Sequence, residues 1–498
     1  MYERSSYYYR WAIIFCSALM IFKGVEGNKL FAGVFSPPSS QIKETNNTKK
    51  KEAKLEESKK TKENINITHI KKKKLFHPQV STIENGLKIV VVTNTLSPTV
   101  AIGVLYNYGA SDDPTHQIGI AHFLEHLMFK GTKKHPSGHF DRTILRLGGQ
   151  TNAWTSNDAT FYHTKIAKQH LETILELEAD RMVNLSFSPN EVISEQEVVK
   201  QERLMRLENH PFGCAYEAQI KSIFWYHPYQ YPTIGYPHHI DNYDYDSVRK
   251  MYETWYAPNN AIIVIVGDVT MQEAKPIVEK YFSSLKSKEI PKRLRQQEPD
   301  HQGITSYIRQ ENKRNSLVMF EWVYAAPNHN KGSKHHYYPL QILAEIVGGA
   351  ETRFLYKKLV EEEKLALDFS CNYYHETLDP YYFSISITLA PGADEKKVKT
   401  IVSNYIENLI ENGIDESEFF KAQRDLILSS SFSRDGNSTS LNSFSDLAIG
   451  LSHEDIDDWV IKIGEVEKKQ TEEAAKEILG KKPICVIELY PPCKSEKN

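Results

Sequence analysis

Residues 122–126 read His-Phe-Leu-Glu-His. At about 100° per residue, His122, Glu125 and His126 share one arc of a helix. Ile120, Ala121, Phe123, Leu124, Leu127, Met128 and Phe129 around them are apolar. A helix apolar on all sides is a buried helix, and titratable groups inside it are costly unless something binds them. Two histidines at i and i+4 can grip one divalent ion from one helix face. Zinc takes neutral imidazole nitrogens and carboxylate oxygens, and a catalytic zinc keeps three protein ligands plus an open position. Glu125, on the same face, then stands where a general base would hold and deprotonate water acidified by the ion. The competing reading is two histidines buried and hydrogen-bonded in an ordinary core.

A third ligand must come from elsewhere. Ser188-Pro189-Asn190-Glu191 reads as a helix start: Ser188 caps, Pro189 fits the first turn and Glu191 completes a capping box. On the helix that follows, Glu195 and Glu202 are seven apart and share a face. The wheel places them between Val192 and Val199 on one edge and Val198 and Met205 on the other, so both carboxylates are expected on the core side; Ile193 and Leu204 fall outside the pattern. Glu on a helix is ordinarily solvated. Here Glu202 is the candidate third ligand, and Glu195 the candidate hydrogen-bond partner of a ligating histidine.

These residues need elements to position them. Asn85-Gly86 signals a hairpin between Ser81–Ile83 and Leu87–Val92. A strand over 99–106 precedes the H-x-x-E-H helix, and a helix near 138–147 ends at Gly148-Gly149. Further helices are predicted at about 168–183 and 189–209, then a buried strand over 260–268 and a helix over 271–285. Residues 286–303 are charged, contain Pro291 and Pro299, and read as a linker. The second half repeats the logic: strands near 315–323, 368–375, 381–389 and 483–490, and helices near 336–347, 394–411 and 415–430. This is a weak repeat of roughly 220 residues, judged by element order. The helix matching the H-x-x-E-H helix, within 338–346, has no ligand pair.

The 498-residue chain has a net charge of −3, but the charge is unevenly spread. Residues 28–75 hold thirteen lysines against five glutamates, whereas 76–498 carry a net −12. An acidic body argues against a nucleic-acid binder. Arg4 and Arg10 precede an apolar run over 11–22, the pattern of a signal peptide over 1–27, either cleaved or kept as an anchor. The chain is therefore expected to be exported, to the periplasm or outside the cell, with an N-terminal membrane tether if the leader is kept. Residues 28–76 read as a Lys-rich flexible linker, whose lysines either touch an anionic membrane surface or are merely solvated. Five cysteines make no disulfide framework in a chain this long. Cys485 and Cys493 either pair after export or remain free thiols.

With its spaced glutamate, the motif resembles the inverted-motif zinc peptidases, the family of pitrilysin, insulin-degrading enzyme and the mitochondrial processing peptidase. That family places its third ligand about 76 positions after the second histidine, the separation of His126 and Glu202. It also carries a glutamate seven residues earlier, matching Glu195. Residues 148–156 resemble the family's edge strand, where a peptide adds as an extra strand, so Asn152 and Ala153 would contact substrate. Without the resemblance, the same residues are a Gly-Gly turn leading into an ordinary strand. The resemblance spans roughly 77–492 and implies an α+β fold of two related domains, 77–285 and 304–492. Each would be a mainly antiparallel sheet packed with helices, together enclosing a chamber.

The implied activity is a zinc metalloendopeptidase with one Zn2+ per chain held by His122, His126 and Glu202, and Glu125 as general base. One departure stands out. Many members carry in the second half an Arg and, seven residues later, a Tyr that grip substrate; here those positions are Val360 and Leu367. Arg353 and Tyr356 come too early and are expected to pack or face solvent. Short members often work as pairs, which implies a zinc-bearing subunit with a homologous partner supplying the Arg/Tyr pair, or a homodimer. The alternative function is a metal-holding structural or binding subunit that does no catalysis.

Overall fold

The computed structural model describes residues 74–492, apart from 211, 300–302 and 312–315. The predicted leader, most of the Lys-rich linker and Cys493 lie outside the described residues. Among those described, no helix is long and apolar enough to cross a membrane.

Two mainly antiparallel sheets form the frame. The first contains β1 (Gln79–Thr82), β2 (Lys88–Thr93), β3 (Thr99–Tyr106), β4 (Gln150–Thr155), β5 (Thr160–Ala167) and β6 (Ala261–Gly267), in the order β1-β2-β6-β3-β5-β4. The second contains β7 (Ser306–Glu311), β8 (Met319–Ala326), β9 (Ala366–Tyr374), β10 (Tyr381–Leu389) and β11 (Cys485–Tyr490), in the order β7-β11-β8-β10-β9. Without β1, the first order becomes the second, strand for strand. Even the single parallel pair recurs, β2 with β6 and β7 with β11. The repeat read from element order is therefore present in the hydrogen-bonding topology.

The hydrophobic pattern explains the first sheet. β6 (Ala-Ile-Ile-Val-Ile-Val-Gly) is buried along its whole length, as a central strand covered on both faces must be. The helix bearing the H-x-x-E-H motif, α1 (Ile120–Leu127), packs on β4 and β5 of this sheet, and its apolar residues are all buried. β4 is an edge strand; among the described residues it pairs only with β5, placing Asn152 opposite His163 and Ala153 opposite Tyr162.

Each sheet is also covered by a helix from the other half of the chain. The helix Gly213–Ile223 packs on β7 and β11, and Ala215, Ile223 and Phe224 join Val323, Cys485 and Ile487 in one core cluster. In return, the helix Asn437–Ser443 packs on β3 and β6, where Asn437 Nδ2 donates to Thr99 O at 3.0 Å. At the start of the body, Asp457 Oδ1 accepts the amides of Phe76 and His77 at 2.6 and 2.9 Å.

The segment read as a linker is an anchored strap. Arg293 donates to Asp112 and Arg295 to Asp158. Asp158, fully buried in the β4–β5 turn, also accepts Tyr229 Oη at 2.6 Å and the Leu378 amide at 3.0 Å. Helices at 213–223, 245–255 and 468–478, and strand β7, were not foreseen. The helix predicted over 189–209 is α-helical only to Arg203, then continues as a π-helical turn over Leu204–Glu208.

Glu321 on β8 is buried, and burial raises its carboxyl from 4.5 to about 7, against nearby Ser384, Ser386 and Gln219. A carboxyl raised in the folded state favours folding while protonated. The advantage is lost as pH rises from the unfolded value through about 7. Glu321→Gln is therefore expected to stabilise the protein at pH 8.5, by up to about 3 kcal/mol, with little change at pH 5. Thermal midpoints of both proteins at the two pH values check this; an equal effect at both would contradict it.

Candidate metal centre

α1 is fixed at its N-terminus before its side chains are considered. Asp113 accepts the Gly119 amide at 2.7 Å and the Ala121 amide at 3.1 Å, satisfying donors that no carbonyl within the helix can reach. Gly119 has φ +96, and a Cβ there would stand 2.5 Å from Gly235 Cα. Only glycine allows both the left-handed turn and this approach. Tyr243 Oη donates to Ile118 O at 2.5 Å and locks the same corner.

The second contributor is the helix Pro189–Arg203, here α2. Ser188 and Glu191 form the predicted capping box, with Pro189 in the first turn. Val192, Val199, Glu195 and Glu202 are buried as expected. Val198 and Met205 are not: they are 49% and 63% exposed. The buried face is thus narrower than the wheel implied, with Glu195 and Glu202 near its rim.

α1 and α2 bring His122, His126 and Glu202 together, their ligand atoms all within 4.8 Å of one another. Glu202 Oε2 lies 3.6 Å from His122 Nε2 and 3.1 Å from His126 Nε2. Ligands at about 2.0–2.1 Å around a tetrahedral ion stand roughly 3.3 Å apart, so the spacing fits zinc with only small adjustment. Glu195 Oε1 lies 2.9 Å from His126 Nδ1. Accepting that N–H would fix, in the neutral ring, the tautomer that leaves Nε2 free to ligate a metal. His122 Nδ1 is buried with no hydrogen-bond partner. Two imidazoles and one carboxylate are a donor set suited to zinc.

Electrostatics follows from burial. Burial pulls the His122 imidazolium down to about 3, so that ring is neutral. Burial also opposes a charge on His126, but bonds to Glu195 and Glu202 outweigh it and raise that ring to about 10. Burial pushes the Glu202 carboxyl up; the bond from His126 and the charges on His126 and Arg206 oppose that, and it is held well below the carboxylate range. Without metal, a proton on His126 supplies the positive charge the cluster needs.

Glu125 is 8% exposed, and Thr155 Oγ1 donates to its Oε2 at 2.6 Å. Burial raises the Glu125 carboxyl, opposed by the His126 charge and the Thr155 bond. Thr155 ends β4, so the strand carrying Asn152 and Ala153 also holds Glu125. Sequence reasoning missed Thr155, because that contact depends on sheet geometry. It also missed Arg206, which pairs with Glu202 Oε1 at 2.7 Å, and Lys130, which pairs with Glu195. Arg206 has a local signal, following its partner Glu202 by four residues; Lys130 has none, its partner Glu195 lying on another helix.

Val360 lies in a π-helical stretch, Lys357–Glu362, and Leu367 is half exposed on β9. Arg353, expected to pack or face solvent, is fully buried and paired with Glu345 at 2.5 Å and Asp425 at 2.9 Å. Cys485 is a buried free thiol.

Comparison with known proteins places this architecture. The family model described as Insulinase (Peptidase family M16) matches residues 88–235, and Peptidase M16 inactive domain matches 242–426. The chain belongs to the M16 peptidase family. It is similar to the zinc protease PqqE of Helicobacter pylori, 34% identical over 293 residues, covering 57% of this chain and 64% of that one, just under two thirds. An uncharacterized zinc protease of Bacillus subtilis, YmxG, is 25% identical, covering 80% of this chain and 94% of its own. The crystal structure of a protease from Helicobacter pylori superposes with a TM-score of 0.77 at 27% identity, over 84% of this chain and all of that one. His122, His126 and Glu202 all lie within the first matched region; the inactive-domain match begins beyond them.

Two substitutions separate the supporting contacts. Glu195→Gln should lower zinc affinity about 10- to 100-fold, read by competition with a chelator. Thr155→Val should leave zinc content unchanged and lower peptide turnover about tenfold or more. Loss of metal from the Thr155 variant would contradict its assignment to Glu125.

Proposed function

We propose that this chain is a zinc-dependent endopeptidase that cuts peptides or unfolded protein segments. The observation that carries this is the convergence of His122, His126 and Glu202 beside Glu125, with Glu125 hydrogen-bonded to the end of an edge strand. His122, His126 and Glu202 would hold one zinc. When bound, zinc supplies Lewis-acid chemistry, polarising a peptide carbonyl and acidifying water. Glu125 takes the proton from the attacking water and delivers it to the leaving nitrogen. Burial that raises its carboxyl makes it the better base for the first transfer. The substrate adds along the outer edge of β4 by main-chain hydrogen bonds, at Asn152 and Ala153. Burial of Thr155 and Glu125 at the end of that strand limits competing water.

The wider assignment follows the sequence. The two related halves, 77–285 and 304–492, act as one unit, the second without a counterpart of the H-x-x-E-H zinc site. The apolar leader directs export to the periplasm or beyond, as a soluble or N-terminally tethered protein. With Val360 and Leu367 where a substrate-gripping Arg and Tyr are expected, the chain is the zinc-bearing subunit beside a homologous partner or a second copy. The same absence supports the second reading, a metal-holding subunit without catalysis.

Glu125→Gln should keep zinc and lose at least about 100-fold in peptide cleavage. Cleavage is measured with the chain alone and with a homologous chain carrying the Arg/Tyr pair. Activity in either preparation supports the peptidase; zinc binding with no cleavage in both supports the structural subunit. A Glu125→Gln protein cleaving at the wild-type rate would overturn the role of Glu125.

A further inference from the structure

A second set of imidazole and carboxylate groups converges in the other half of the chain. His335, His336 and Glu477 place ligand atoms within 4.8 Å of one another. Lys334–His336 is a single 3-10 turn leading into the helix Tyr337–Gly348, and Glu477 stands on Lys468–Ile478, which packs against that helix.

The geometry is that of a built cluster. His336 is 3% exposed, and its Nε2 lies 2.9 Å from Glu477 Oε2. Ser333 Oγ donates to Glu477 Oε1 at 2.7 Å and orients the carboxylate. The His335 ring lies 4.0 Å from the His336 ring, centroid to centroid, and is exposed. Glu473, one turn before Glu477, adds negative potential toward His336. An ordinary hydrogen bond between His336 and Glu477 accounts for one nitrogen and one oxygen. His336 Nδ1 is buried without a partner, and either ring nitrogen of an imidazole can ligate a metal. The hydrogen bond also leaves the second imidazole beside the pair unexplained.

The arrangement parallels the first centre, where His126 Nε2 stands 3.1 Å from Glu202 Oε2 with a second ring 4.8 Å away. We propose that His335, His336 and Glu477 form a second divalent-metal site, for zinc or a similar borderline ion, tying Lys468–Ile478 to the start of Tyr337–Gly348. Two imidazoles favour zinc, cobalt, nickel or copper over calcium or magnesium. The exposed side leaves room for water ligands, and the positive end of the Tyr337–Gly348 helix dipole opposes a cation. The site is therefore weaker than the first. The two sites share no residue, and this one does not depend on the peptidase assignment.

The test uses the chain without a polyhistidine tag, stripped of metal and titrated with Zn(II), and with Co(II) for its absorption spectrum. Wild-type protein should bind two equivalents, the second more weakly. Glu202→Gln should keep the weaker equivalent and show a zinc-dependent rise in thermal midpoint of a few degrees. Adding His335→Ala to Glu202→Gln should abolish both the weak equivalent and that rise. His335→Ala alone should retain the tight equivalent; because His335 is exposed, the replacement leaves the core intact. Uptake of a single equivalent by wild-type protein, or weak binding unchanged by His335→Ala, would overturn the second site. The tight equivalent tests the first centre separately.

Discussion

The constraint on which the structure turns is the cost of burying charge on a helix that is otherwise apolar. His122, Glu125, Glu195 and Glu202 are each less than a tenth exposed. An unpaired ion in such surroundings costs several kcal/mol even after relaxation. Every charge near α1 is accordingly answered. Glu195 faces Lys130 and His126, Glu202 faces both histidines and Arg206, and Glu125 accepts from Thr155. A divalent ion bound at these groups would replace the proton on His126 as the positive centre, at ligand atoms already within 4.8 Å of one another. The groups are already at ligand spacing because they share that positive centre.

Such tolerance needs rigid supports. α1 is pinned at Gly119 by Asp113 and by the approach of Gly235. The far end of β4 turns at Asp158, which holds Arg295, Tyr229 and the Leu378 amide in one buried network. The strand ending in Thr155 is thus fixed by contacts from both halves of the chain. Mutual covering of the sheets serves the same end. Neither Gly213–Ile223 nor Asn437–Ser443 packs only within its own half, so one half cannot open without exposing the core of the other. A separation of the two halves would uncover full-length buried strands, each apolar side chain costing about 1.5–3 kcal/mol.

Legibility in the sequence follows the range of each interaction. The H-x-x-E-H arc, the Ser188 cap and the seven-residue spacing of Glu195 and Glu202 are local consequences of helical geometry, and all are present. The wheel fixes an angle but not the breadth of the neighbour packed against it, which is why Val198 and Met205 proved exposed. Residues 286–303 read as a linker because their charges and prolines carry no sign of a partner. Arg293 and Arg295 find Asp112 and Asp158 more than 130 residues earlier. Thr155 reaches Glu125 across 30 residues, through a sheet register that hydrophobic pattern alone does not specify. The duplicated strand order was legible because it is carried by element succession, while the exchanged covering helices were not.

The second half shows what the fold does where the ligands are missing. The helix Tyr337–Gly348 follows β8 as α1 follows β3, and like α1 it is buried along most of its length. Its acidic residue, Glu345, is met by the guanidinium of Arg353, which is fully buried and shared with Asp425. Burial raises the Glu345 carboxyl, and the Arg353 charge opposes that rise. The positive centre is here covalent and permanent. An arginine needs no open coordination position and offers no exchangeable ligand, so this helix gains a satisfied core without a ligand set of its own. In the first half the positive centre sits on an imidazole, where a proton is exchangeable and a metal ion would replace it. That difference, with the fold common to both halves, confines the H-x-x-E-H ligand set to the first.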